Sequence, residues 1–160
     1  SPDSANHWQR VKLAPVKGAV AGAVSQPVPE KFIAGSCLCG AVRFTVCAPL
    51  RPVLVCHCSQ CRKTSGHYWA ATSAPWANVN IEHDGALKWF QSSVHAQRGF
   101  CRYCGSSLFW RHTAQDTLAI AAGALDGPTG LHTQAHIFFT DASDYYRVHP
   151  DEATFEGSAY

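Results

Sequence analysis

Long apolar runs are absent from this chain of 160 residues. The two longest, residues 18–24 and 118–125, fall well short of the roughly 20 residues that a membrane-spanning helix needs. Charged side chains are also scarce, at 15% of the sequence, and the formal net charge is only +2. So small a positive excess does not provide the basic surface that attracts nucleic acid or an anionic membrane. We therefore expect no nucleic-acid partner and no membrane partner.

Methionine is missing altogether, even at position 1, so we draw nothing from the fact that the chain begins at Ser1. A secretory signal is not expected either, because Pro15 and Lys17 stand where its apolar centre would lie. The eight cysteines are bunched, and a reducing compartment with bound metal explains bunching better than disulfides do. These features predict a cytoplasmic protein.

Helical periodicity is scarce, and short alternating segments take its place. Residues 1–34 show no clear period and hold four of the nine prolines, so we interpret them as an N-terminal extension. Residues 35–157 then form one zinc-binding domain, with brief helical candidates at residues 59–64 and 141–145. Alternation predicts β-strands at residues 41–46, 68–72, 79–82, 87–90, 95–100, 107–110, 117–121 and 135–139. The pattern favours a mainly β fold made of small sheets.

Two of the three cysteine motifs have the form of a zinc-binding turn. Residues 37–40 read C-L-C-G and residues 101–105 read C-R-Y-C-G, and each motif places two sulfurs on a tight turn that ends in glycine. A structural zinc takes four ligands in a tetrahedron, so two such turns close one site. We predict that one structural zinc is held by Cys37, Cys39, Cys101 and Cys104.

The third motif, C-H-C-S-Q-C at residues 56–61, has one ligand too few. Cys56, Cys58 and Cys61 leave the fourth position of a tetrahedron to water, a substrate atom or a histidine. Three protein ligands with one exchangeable position are typical of catalytic zinc, so we predict a second zinc at an open, reactive site. A purely structural site closed by a histidine, a redox dithiol and a metal buffer remain as alternatives. Cys47 stands alone and is expected to be a small buried or edge residue.

These motifs resemble those of the glutathione-dependent formaldehyde-activating enzyme family, also called the centromere protein V family. The similarity lies in residues 35–44, 56–66 and 98–108, with weaker matches at 123–126 and 135–137. The resemblance implies a β-tent of small antiparallel sheets and the same division of the seven cysteines between two zinc ions.

The same resemblance implies a carbon–sulfur lyase of the S-(hydroxymethyl)glutathione synthase type, which joins glutathione to formaldehyde. The implied partner is a small-molecule thiol such as glutathione. The alternative is a non-catalytic zinc-binding protein-interaction module, since the β-tent fold also serves zinc-dependent protein contacts. An open coordination position favours the enzyme, whereas a fourth protein ligand with an exposed apolar patch would favour the module.

Five side chains near the motifs are candidates for a supporting role. Arg62 and Lys63 could receive a carboxylate such as that of glutathione, or they form a solvated surface pair. His57 is expected to point away from the metal, and His136 is expected to be a satisfied core histidine more than a substrate contact. Arg98 is expected to support the C-x-x-C turn through backbone contacts.

Overall fold

The computed structural model describes residues 31–159, and β-strands dominate that part of the chain. The strands are β1 Phe32–Ser36, β2 Arg43–Cys47, β3 Val53–Cys56, β4 Trp69–Pro75, β5 Val79–Glu82, β6 Leu87–Ser93, β7 Ala96–Cys101, β8 Ser107–His112, β9 Thr117–Ala121, β10 Thr133–Ile137 and β11 Ala153–Thr154. One α-helix, α1 Ser59–Ser65, and 3-10 turns at Trp76–Asn78, Ala122–Ala124 and Phe139–Asp141 complete the elements. The predicted mainly β class is confirmed. None of the helical segments in residues 31–159 has the length and apolar content to cross a membrane.

The strands form a three-stranded sheet, β1-β2-β5, and an eight-stranded sheet, β11-β10-β3-β4-β9-β8-β7-β6. Neighbouring strands are antiparallel except that β10 runs parallel to both β3 and β11. This parallel pairing sets His136 beside Val55 and Ile137 beside Cys56. It therefore brings a histidine from late in the chain next to the three-cysteine motif.

The core lies where the small sheet packs against the large one. Phe44 of β2 meets Phe109 of β8 edge to face, with ring centroids 5.1 Å apart. Gly35 of β1 permits this approach, because a Cβ atom there would lie 2.3 Å from the Phe44 ring. Each fully buried Leu, Ile or Phe side chain contributes about 1.5–3 kcal/mol to folding, so this contact holds the two sheets together.

The sequence-based strands agree with the structure best where alternation is clean. The strands at residues 79–82 and 117–121 have the predicted bounds, and the helix at residues 59–64 is one residue longer. The helix predicted at residues 141–145 is wrong. The chain makes only the 3-10 turn Phe139–Asp141 at its start, and the backbone N–H groups of Phe138 and Phe139, just before it, donate to Gly157 (2.9 Å) and Phe155 (3.0 Å).

The predicted N-terminal extension stays largely untested. Residues 1–30 lie outside the described part of the chain. Of the last four residues of the predicted extension, residues 31–34, three belong to β1, which begins at Phe32. Strands β1, β3 and β11 were not predicted.

Candidate metal centre

Two glycine-ended turns build the first cysteine cluster. Cys37 follows β1, and its carbonyl accepts from the N–H of Gly40 (3.2 Å), which has φ +74°. Cys101 ends β7, and its carbonyl accepts from the N–H of Gly105 (2.8 Å), which has φ +77°. Positive φ is the conformation that glycine adopts at little cost. The N–H of Leu38 donates to Ser106 Oγ (2.9 Å) and ties one turn to the other.

The sulfur spacing in this four-cysteine cluster fits zinc. Cys39 Sγ lies 3.6 Å from both Cys37 Sγ and Cys101 Sγ, and all four sulfurs lie within 4.8 Å of one another. Zn–S bonds of about 2.3 Å in a tetrahedron require sulfurs about 3.8 Å apart. Burial raises the pKa of the Cys39 thiol to about 12. A cation bound between the sulfurs would favour the thiolate form of Cys39 over the protonated form.

The second cluster is assembled by the end of β3 and the start of α1. Cys56 closes β3, Cys58 caps α1 by accepting from the N–H of Cys61 (3.4 Å), and Cys61 is buried within the helix. The three sulfurs lie within 4.8 Å of one another, and no fourth Cys, His, Asp or Glu of residues 31–159 joins the group. Hydrogen bonds with the other two sulfurs lower the pKa of Cys58, whereas they raise that of Cys56. Such a donor set can hold a metal ion and leave one tetrahedral position open.

The structure thus brings the predicted ligands together in the predicted groups. That zinc occupies these groups, and that the second group is reactive, stay predictions. All eight cysteines are free, and Cys47 lies half-buried at the end of β2, outside both clusters.

Arg98 contacts the three-cysteine cluster, whereas the sequence predicted that it would support the C-x-x-C turn of the four-cysteine cluster. Its Nη2 donates to Cys61 Sγ (3.6 Å) and to Gln60 Oε1 (3.4 Å), and the residue is only 8% exposed. The reason is strand geometry: Arg98 and Cys101 are three residues apart on β7, so their side chains point to opposite faces. The odd separation was the signal available in the sequence.

A buried hydrogen-bonded chain passes beside the three-cysteine cluster. His57 is fully buried; its Nδ1 is hydrogen-bonded to the hydroxyl of Tyr146, and its Nε2 lies 2.8 Å from His136 Nδ1. His136 Nε2 in turn lies 2.8 Å from Glu152 Oε2. Sequence reasoning missed Tyr146 and Glu152, which no motif marks.

The carboxylate fixes one donor in this chain: a carboxylate only accepts, so His136 donates from Nε2 to Glu152. With both imidazoles neutral, His136 accepts at Nδ1 from His57 Nε2. His57 then accepts at Nδ1 from the hydroxyl of Tyr146. Burial lowers the pKa of His57 to about 4, which is consistent with this neutral tautomer. His57 therefore bonds to Tyr146 and His136, as expected of a side chain that points away from the metal.

A cleft of about 700 Å³ lies beside the four-cysteine cluster, and none of the three cysteines of the open cluster lines it. Trp69 forms part of its wall and also packs against the three-cysteine cluster, whereas Cys37 borders it from the other cluster. Among the described residues of its lining, Asp126 alone is charged. Lys63 is exposed, and Arg62 Nη1 donates to Ser143 Oγ (3.4 Å). Neither of these two basic residues belongs to the lining of the cleft.

Comparison with known proteins gives a consistent set of relatives. The model of a family described as glutathione-dependent formaldehyde-activating enzyme matches residues 32–141. An uncharacterized lyase of Schizosaccharomyces pombe is 27% identical over 113 residues, covering 70% of this chain and 82% of its own length. A Halomonas elongata protein, provisionally named a glutathione-dependent formaldehyde-activating enzyme, is 35% identical over 86 residues. That match covers 49% of this chain and 55% of the relative.

A solved structure has a similar fold. The crystal structure of a Rhodobacter sphaeroides protein is 25% identical in sequence and superposes with a TM-score of 0.52. It covers 62% of this chain and 97% of its own chain. The family match contains all seven cluster cysteines and ends before Tyr146 and Glu152.

Proposed function

This chain belongs to the glutathione-dependent formaldehyde-activating enzyme family, and on that premise we propose that it is a zinc-dependent carbon–sulfur lyase. Its proposed substrate is the adduct of an aldehyde with a small-molecule thiol, of which S-(hydroxymethyl)glutathione is the model. The observation that carries the proposal is the division of seven sulfurs into a closed group of four and an open group of three.

The two groups have different proposed roles. Cys37, Cys39, Cys101 and Cys104 would hold a structural ion that ties β1 to the β7–β8 hairpin. Cys56, Cys58 and Cys61 would hold the ion at which the reaction occurs. When bound there, zinc would supply a Lewis acid with one coordination position free, which lowers the pKa of an incoming thiol.

The proposed reaction balances without an oxidant or a further substrate. In the direction of synthesis, the thiol sulfur attacks the aldehyde carbon, a C–S bond forms and the C=O π bond becomes a single bond. The proton lost by the thiol ends on the new hydroxyl group, and cleavage reverses these steps. Trp69 belongs to the same apolar cluster as the three cysteines and also lines the cleft.

The cleft is suited to a small polar thiol. Its volume of about 700 Å³ falls within the range of small-molecule sites. Hydroxyl groups of Ser36, Thr64 and Ser106 offer neutral hydrogen bonds, and Asp126 offers a carboxylate to an ammonium group such as that of glutathione. The basic pair Arg62 and Lys63 is not part of this proposed contact.

Zinc content together with thiol consumption tests the proposal. We expect two zinc ions per chain in the wild type and one in Cys56→Ser. We also expect the wild type, but not Cys56→Ser, to speed the loss of glutathione thiol with formaldehyde above the rate of the uncatalysed reaction. Cys47→Ser is the matched control, and it should keep both ions and the rate enhancement. A wild type with two ions and no rate enhancement would refute the lyase, and equal zinc loss from both sites in Cys56→Ser would refute the division of roles.

A second candidate is a non-catalytic protein-interaction module. It is favoured by two large apolar side chains at the tips of the linked cysteine turns, Leu38, 76% exposed, and Tyr103, 64% exposed. The same thiol assay separates the two candidates, because a module would bind zinc without speeding thiol loss. For either function we propose a cytoplasmic location, since eight free thiols persist in a reducing compartment.

A further inference from the structure

The guanidinium group of Arg98 is a buried cation without a carboxylate partner. No ion pair recorded in residues 31–159 involves it, and its Nε is buried without a hydrogen-bond partner there. Its contacts are the amide oxygen of Gln60 and the sulfur of Cys61. A buried charge persists where a counter-charge compensates it, and the sulfur of Cys61, which is a thiolate when it binds a metal ion, is the group positioned to do so.

The two cysteine clusters differ in the donors that reach their sulfurs. In the four-cysteine cluster the donors are neutral: the N–H of Val42 lies 3.3 Å from Cys37 Sγ, and the hydroxyl of Ser106 lies 3.2 Å from Cys104 Sγ. In the three-cysteine cluster a charged donor, Arg98, reaches Cys61. Charge-assisted hydrogen bonds are about twice as strong as neutral ones and withdraw more electron density from the acceptor.

Charge counting shows what this difference does. Three thiolates around a divalent ion leave one negative charge, which would repel an anionic fourth ligand and weaken the Lewis acidity of the ion. One guanidinium group in contact with the cluster cancels that charge. Four thiolates with neutral donors leave two negative charges, which suits a closed site that takes no further ligand.

We propose that Arg98 is the counter-charge of the three-cysteine site and lets its open position accept an anionic ligand. It acts through Cys61 and is therefore a positioning residue. The identity of that ligand, a substrate thiolate, rests on the proposed function. The effect of Arg98 on metal affinity does not depend on the proposed function.

Exchange of Arg98 should change the second metal site and leave the first intact. Arg98→Met removes the charge and keeps the length of the side chain, whereas Arg98→Lys keeps the charge. The measurements are zinc affinity by competition with a chromophoric chelator and titration of the cobalt-loaded protein with glutathione or imidazole. We expect Arg98→Met to weaken the second zinc about 10-fold or more, because loss of an outer partner costs about 10- to 100-fold.

The choice of fourth ligand is a readout that loss of packing would not produce. In Arg98→Met, binding of anionic glutathione should weaken more than binding of neutral imidazole, whereas Arg98→Lys should keep the wild-type preference. Lys88 is an exposed cation on the neighbouring β6, so Lys88→Gln removes the same charge away from the site. It should change neither the affinity for the second zinc nor the preference for the fourth ligand. An Arg98→Met protein with wild-type affinity for the second zinc, or with an unchanged ligand preference, overturns the proposal.

A surface variant keeps the proposal testable if Arg98→Met does not fold. Gln60 is exposed on α1, and Gln60→Glu would place a carboxylate on the guanidinium and compete with Cys61 for it. We expect Gln60→Glu to weaken the second zinc about 3-fold or more, by the same loss of an outer partner; a folded variant with unchanged affinity overturns the proposal.

The proposed function and the role of Arg98 fail in different ways. A wild type that does not speed thiol loss with formaldehyde above the uncatalysed rate refutes the lyase even if these metal affinities shift as expected. Unchanged affinities refute the role of Arg98 even if the lyase reaction is found.

Discussion

Removal of one hydroxyl group, in Tyr146→Phe, should destabilise the protein and loosen the three-cysteine cluster. The hydroxyl of Tyr146 is the donor to His57 Nδ1 at the end of the buried chain that continues to His136 and Glu152. Phenylalanine keeps the ring, which contacts His57 and Tyr68 with centroids 5.4 and 5.5 Å apart. The substitution therefore isolates the hydrogen bond from the packing.

The expected magnitude follows from the burial of His57, which is complete. Its Nδ1 would lose its partner in a place that water does not reach, and a buried polar atom left unsatisfied costs about 1–3 kcal/mol. For a domain of this size, that free energy lowers Tm by roughly 4–10 °C. The assay is urea unfolding of the zinc-loaded protein, with thermal unfolding as a second measure.

Tyr145→Phe is the matched control. Its hydroxyl also bonds to a histidine Nδ1, that of His67 (2.7 Å), but Tyr145 is 63% exposed and His67 is not buried. Water can replace this bond, so we expect a cost of about 0.5 kcal/mol or less. Equal costs for the two variants would refute the argument that the buried chain is the stronger constraint.

A second readout links the chain to the metal centre. His57 lies between Cys56 and Cys58, so a ring that is free to rotate should loosen the spacing of two ligands. We expect Tyr146→Phe to release zinc to a chelator faster than Tyr145→Phe does, from the second site only. Identical release rates would show that the chain stabilises the fold without positioning the ligands.

Three more predictions concern acid stability and the core. The hydrogen bond from His136 holds the pKa of Glu152 below its ordinary value, so the folded carboxyl binds its proton more weakly than the unfolded one. The carboxylate stabilises the fold fully above the pKa that it has in the unfolded chain, and this contribution is lost as the pH falls through the pKa that it has in the folded chain. Glu152→Gln should therefore make the midpoint of urea unfolding fall less between about pH 6 and about pH 3. Gly35→Ala should cost about 1–3 kcal/mol in urea unfolding, because the new Cβ would lie 2.3 Å from the Phe44 ring; an unchanged midpoint would contradict the close packing of the two sheets. Phe109→Ala should cost about 3–5 kcal/mol, because Phe109 is fully buried, and a calorimetric loss below about 1 kcal/mol would contradict its place in the core.

The grouping of the cysteines could be predicted because ligand spacing is local. A C-x-C-G or C-x-x-C-G turn orients its two sulfurs whatever the rest of the chain does, and the count of sulfurs then assigns the pairs to sites. The structure places the four sulfurs of residues 37–39 and 101–104 together, as that count predicts. The family was recognisable for the same reason, since its motifs are these turns.

Strands were predictable only where one face is buried and the other is not. β5 alternates between half-buried and exposed residues, and its bounds were found. β3 was missed because Val53, Leu54 and Val55 are all buried, and a short apolar run has no period that marks it as a strand. The helix predicted after β10 is wrong, and the backbone just before it, at Phe138 and Phe139, bonds to residues 155–157, a contact that no local pattern marks.

The sequence by itself determined the candidate ligands, their division into groups of four and three, and the mainly β class, because each depends on spacing within a few residues. Only the tertiary structure decided which side chains surround those ligands. Arg98 reaches Cys61 across 37 residues of sequence, and His57 reaches Tyr146 across 89. Such contacts depend on strand order, on the parallel pairing of β10 with β3 and on the face to which each side chain points, and no local pattern encodes them.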